Sequence, residues 1–110
     1  MSVQIVISQK GPLPITATFQ ALGDLSMVLV VHGSVWTTTA NQMIGIAVQL
    51  DGQAIGNAQL FSNAASTHRA VVPAYIPVTL TYGQHKLTLS AMPGGTVSDL
   101  NDFYTAVLHY

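Results

Sequence analysis

Residues 25–36, LSMVLVVHGSVW, are apolar in both registers of an extended chain. Successive side chains of a strand point to opposite faces, so Met27, Leu29 and Val31 share one side and Val28, Val30 and His32 share the other. A strand with one wet face would carry polar residues at alternate positions. This one does not, which predicts a strand covered on both faces. Its β-branched residues and the absence of an i, i+3, i+4, i+7 stripe exclude a helix. The longest unbroken apolar run, 27–31, is far shorter than the roughly 20 residues of a membrane span, so no membrane insertion is expected.

Outward from this strand, every segment reads the same way. Residues 43–50 (MIGIAVQL) place Ile44, Ile46, Val48 and Leu50 on one face against Gly45, Ala47 and Gln49. Asp51-Gly52 follows at once and predicts a two-residue hairpin with 53–61 returning, because both turn positions need positive φ. Residues 69–80 predict a long strand bent at Pro73 and Pro77, with Arg69, Val71 and Tyr75 on one face. In 85–91 (HKLTLSA), Leu87 and Leu89 face in while Lys86, Thr88 and Ser90 face out. Two shorter strands, 3–8 and 15–19, flank a proline cluster and belong near sheet edges, and 103–110 forms a last strand. About eight strands with turns every 8 to 12 residues give an all-β fold, a β-sandwich. A jelly roll and an Ig-like topology both satisfy the pattern.

At 110 residues the chain is one domain, 1–110, with no room for a second core. It has three Lys or Arg, four Asp and no Glu, so 6% of its residues are charged where about 25% is ordinary. With 49% hydrophobic residues it carries more apolar surface than a monomer of this size hides, which predicts burial between subunits. A net charge of −1 and scattered Lys10, Arg69 and Lys86 give no basis for nucleic-acid binding. There is no cysteine, hence no disulfide and no thiolate metal site. No signal peptide is read at the N-terminus; an extracellular or particle-surface location is favoured all the same.

The segments LSMVLVVHGSVW, MIGIAVQLDG, HRAVVPAYI, GQHKLTL and DLNDFYTAVLHY, in that order, resemble compact bacterial and phage relatives of the complement globular-head and tumour necrosis factor-like jelly rolls. The resemblance implies a jelly-roll sandwich of about eight strands assembled as a homotrimer, with the last strand near the threefold axis. It implies Tyr104, Leu108 and Tyr110 as subunit contacts and a role in binding or assembly, and the second apolar register of residues 25–36 adds Val28 and Val30 to those contacts. The implied partners are further copies of the chain and a cell-surface glycan or receptor.

Catalysis has little to work with: there is no Cys, no Glu, no nucleophile elbow and no phosphate loop. No enzyme activity and no cofactor are expected. The candidate ligand contacts are Trp36, His68, Arg69 and Tyr75. Trp36, beside Thr37, Thr38 and Thr39, reads either as a flat platform for a sugar or as core. Arg69, the one arginine, offers a bidentate donor to a ligand or to an Asp of a neighbouring subunit. His32, His68, His85 and His109 lack metal-ligand spacing, so no metal site is expected from them. His32 and His85 read as packed strand residues with satisfied rings. Asp99, Asn101 and Asp102 gather oxygens as a calcium loop does, yet without its Gly and bidentate Glu they read as local Asx-turn caps.

Overall fold

The computed structural model describes residues 2–110. Nine strands follow one another, β1 (Val3–Lys10), β2 (Ile15–Ala21), β3 (Leu25–Val35), β4 (Gln42–Leu50), β5 (Gln53–Ser62), β6 (Arg69–Ala70), β7 (Ala74–Leu80), β8 (Gly83–Ala91) and β9 (Phe103–His109). All pairings are antiparallel. One sheet has the order β1-β9-β3 with β6 and β7 both on the far edge of β3, and the other has β2-β8-β4-β5. The chain changes sheet at almost every connection, and the last strand slots between the first and the third. This is the two-sheet Greek-key arrangement of a jelly roll, and it excludes the Ig-like alternative.

The alternation in residues 25–36 decides which side faces the second sheet. Met27, Leu29, Val31 and Val35 are buried, and Ile44, Ile46, Val48, Leu87 and Leu89 meet them from the other sheet. The β4–β5 hairpin turns on Asp51 and Gly52, at φ 51° and 83°, the positive pair that a type I′ turn needs. Gly33 lies opposite Tyr104 in the ladder. A Cβ there would stand 2.5 Å from the Tyr104 ring and 2.8 Å from the Phe103 carbonyl, so only glycine lets that ring lie across β3.

Three expectations need correction. Residues 69–80 are not one bent strand: β6 ends at Ala70, and β7 restarts at Ala74 after Pro73. The break resets the alternation, so Val71 is buried while Tyr75 is 69% exposed, and the two do not share a face. Tyr104 and Leu108 are not subunit contacts, because β9 turns Tyr104, Ala106 and Leu108 into the chain's own core at 0–1% exposure. Tyr110 is half-buried and packs against that core. The outward register of β9 is Phe103, Thr105, Val107 and His109. The chain itself covers only one face of residues 25–36, since Val28 is 37% exposed and Val30 half-buried.

Candidate functional site

The pairing registers build two neighbouring regions on the outer face of the five-stranded sheet. Val30 is opposite Val107 on one side and Tyr75 on the other, and Val107 is opposite Ile5. The next row is Val3, His109, Val28 and Pro77. Ile5 and Tyr75, at 66% and 69% exposure, end a ladder of four apolar side chains, and neither row holds an Asp, Lys or Arg. Isolated exposed apolar residues are ordinary; a contiguous block rimmed by polar residues is not.

Further along the same face, beyond His32 and Ser34, a polar corner is built from β3, the segment before β6 and the β8–β9 loop. Asp102 is its centre and is fully buried. Its Oδ1 accepts hydrogen bonds from Ser34 Oγ at 2.7 Å and from His68 Nδ1–H at 2.7 Å. Its Oδ2 accepts from the Asp99 N–H at 2.9 Å. A carboxylate cannot donate, so the proton of that imidazole contact sits on Nδ1. Asp102 raises the affinity of His68 for its second proton, first through the hydrogen bond and then through charge. The second ring nitrogen, Nε2, stands 3.8 Å from Asp99 Oδ2. Asp99 Oδ1 meanwhile accepts the Asn101 N–H at 2.9 Å, the Asx turn that the sequence predicts.

Serine, histidine and aspartate thus meet, but in the wrong order for acyl transfer. In a catalytic triad the imidazole lies between the other two and takes the serine proton. Here the carboxylate lies between, and Ser34 donates to Asp102. The imidazole is bonded to the carboxylate and not to this serine.

The structure brings together three of the four candidate ligand contacts. Trp36 and His68 stack at a centroid distance of 5.7 Å with a 35° tilt, and Arg69 follows at the edge strand. Trp36 is half-buried and its Nε1–H is buried without an acceptor, so one face of the ring is taken by His68. Arg69 is exposed, and among the described residues it forms no ion pair. Tyr75 is elsewhere, in the apolar ladder. Asp99 and Asp102 were not expected to meet His68: they are more than thirty residues away along the chain. No local spacing signals the contact; only the placement of β9 beside β3 creates it.

On the other sheet His85 is held at both nitrogens, by Asp51 Oδ2 at 2.7 Å and the Thr81 carbonyl at 2.8 Å. Two acceptors require two N–H donors, so this ring is stabilised as the cation, and its proton affinity is raised, chiefly by Asp51. The Asp51 carboxyl is lowered in turn by His85 and by the Lys86 N–H. As expected for a packed strand histidine, the ring is satisfied; it also rests against Phe19 at 5.8 Å.

The geometry defines a class, a jelly-roll β-sandwich. No family model matches the chain, and no curated protein is significantly similar to it in sequence. Solved structures share the fold. A beta-glucosidase from Paenibacillus barengoltzii is similar over 96% of this chain at 13% identity and a TM-score of 0.61. Dimeric latent PorU from Porphyromonas gingivalis is similar over 96% at 13% identity and a TM-score of 0.55. This chain spans only 10% and 11% of those two proteins. The CBM36-1 domain of a multidomain xylanase from the hindgut metagenome of Trinervitermes trinervoides matches 97% of this chain and 94% of its own length, at 11% identity and a TM-score of 0.48. At 13% identity the likeness to the first two supports the β-sandwich fold and says nothing of chemistry.

Proposed function

We propose that the chain is a non-catalytic module that associates with copies of itself through the outer face of its five-stranded sheet and presents its polar corner to a surface glycan or receptor. The observation that carries this reading is the uncharged ladder Ile5, Val107, Val30 and Tyr75 with its neighbours Val3, Val28 and Pro77. Four strands at about 4.8 Å spacing by two rows about 6.8 Å apart give an apolar face of roughly 260 Å² per copy. Two such faces form the apolar centre of an interface, and the polar residues around them must supply the rest of the about 1,000 Å² that a specific interface buries. A second copy is the natural occupant, because a chain with 6% charged residues offers the same low-charge face as its own complement. Threefold closure is the form that the tumour necrosis factor-like resemblance favours.

Light scattering at micromolar concentration tests the assembly. The wild type should exceed the 11.6 kDa of one chain, and Val30→Asp or Ile5→Asp should return it to that mass while remaining folded. A folded wild type of 11.6 kDa would sink the reading. A second reading, assembly without any small ligand, is favoured by Trp36, whose ring is partly spent on His68. A glycan array separates the two. Signals abolished by Trp36→Ala or Arg69→Ala support recognition, and a blank array from an assembled wild type supports a purely structural role.

A further inference from the structure

We infer that the corner formed by His68, Asp99 and Asp102 binds one divalent transition-metal ion of the zinc type, with His68 Nε2 and Asp99 Oδ2 as its protein ligands and Asp102 as the carboxylate that orients the imidazole. This stands apart from the self-association proposed above. One ligand atom from each of the three residues lies within 4.8 Å of the others. With His68 neutral the corner holds two negative charges, and among the described residues no Lys or Arg pairs with either. The imidazole is arranged as metal-bound imidazoles are. One ring N–H is fixed on a carboxylate, which sets the tautomer and leaves the lone pair of the other nitrogen for the ion.

The distance suits a small ion. Two ligands about 2.0–2.1 Å from a tetrahedral centre lie roughly 3.3 Å apart. Closing the 3.8 Å between His68 Nε2 and Asp99 Oδ2 needs about half an ångström, and both side chains, 39% and 43% exposed, are free to give it. An imidazole with a carboxylate selects zinc, copper or nickel over calcium and magnesium, which take oxygen alone. The remaining positions are left to water or to a ligand's oxygen.

Trp36 is the single tryptophan and lies 5.7 Å from the His68 ring, so its fluorescence reports the site. Titrating the Val30→Asp chain at pH 7.5 with CuCl2 should give saturable quenching at one ion per chain, reversed by ZnCl2. His68→Gln and Asp99→Asn should each weaken it by about tenfold or more. Asn at position 99 can still accept the Asn101 N–H, so that variant keeps the turn and decides the matter if His68→Gln does not fold. Quenching of unchanged affinity in Asp99→Asn, or displacement of copper by CaCl2 as effective as by ZnCl2, would overturn the assignment. Because Val30 is not part of the corner, stoichiometry and affinity per chain are read in this background whether or not the wild type self-associates.

Discussion

The two sheets have outer faces of similar size and opposite character. On the four-stranded sheet the outward positions are mostly polar, Thr16, Thr18 and Gln20 of β2, Lys86, Thr88 and Ser90 of β8, Gln49 of β4, and Asn57 and Gln59 of β5, with one exposed apolar pair, Met43 opposite Phe61, on β4 and β5. Thr16 and Thr88, opposite each other in the ladder, share a hydroxyl contact at 3.3 Å. The five-stranded sheet sets Val3, Ile5, Val28, Val30, Tyr75 and Val107 in the corresponding places, with His32, Thr105 and His109 beside them. The inner faces of both are equally apolar. Hydrophobicity summed along the chain therefore says that something is in excess, whereas the register says where it is densest: around Ile5, Val30, Val107 and Tyr75 on the five-stranded sheet.

The largest effect that would break this contrast is a charge on the wrong side of β9. Leu108→Asp buries an unpaired carboxylate in the core and should remove more than about 4 kcal/mol, enough to unfold the chain in a circular-dichroism melt. Its neighbour Val107→Asp, on the outer face, should stay folded and lose only the assembled mass in light scattering. Equal damage from both would mean that the two registers of β9 do not differ as described. Gly33→Ala, on the inner side of β3, should cost about 1–3 kcal/mol in urea unfolding, because the Phe103 backbone cannot yield as a side chain would.

A smaller effect comes from the wet sheet, where His85 and Asp51 tie β8 to the hairpin turn. The proton affinity of His85 is raised in the folded chain, so its contribution is fully present below the ordinary imidazole range and fades as pH rises through the raised value. Asp51 is lowered, so its contribution is present above the ordinary carboxyl range and fades as pH falls through the lowered value. Unfolding free energies from urea melts should peak between the two and fall on the alkaline side, and Asp51→Asn should remove the share that belongs to His85, under about 1 kcal/mol, leaving that of His68. Smallest of all, Asn57→Lys on the exposed face of β5 should stay within about 0.5 kcal/mol of wild type in urea unfolding and leave the assembled mass unchanged in light scattering.

Much of the fold was legible because it is written in local alternation. Residues 43–50 and 85–91 each declare a strand and its inward side, residues 25–36 declare a strand but, apolar in both registers, not its side, and Asp51-Gly52 declares its hairpin by turn chemistry alone. Alternation fails where the backbone leaves the pleat. Pro73 divides what reads as one strand, and the phase of Tyr75 is lost with it. In β9 both registers carry apolar residues, so periodicity could not say that Tyr104 and Leu108 face in; the glycine opposite Tyr104 was the sequence mark of that choice. The polar corner was half legible. Trp36, His68 and Arg69 lie close in strand order, but Asp102 reaches them only through tertiary pairing, a relation with no period to detect.

Ser2 and Tyr110 exchange backbone hydrogen bonds, with the Ser2 N–H on the Tyr110 carbonyl at 2.6 Å and the Tyr110 N–H on the Ser2 carbonyl at 3.0 Å. Val3 opposite His109 makes this a pairing that spans nearly the full chain. Closing so long a loop is slow, and the five-stranded sheet cannot be completed until β9 exists. During synthesis the four-stranded half, whose last strand is β8, has all its residues first. A circular permutant joined across Ser2 and Tyr110 and opened at Gly94, in the exposed β8–β9 turn, turns the longest-range pairing into a hairpin. The same sandwich should then form faster, with its order of assembly reversed.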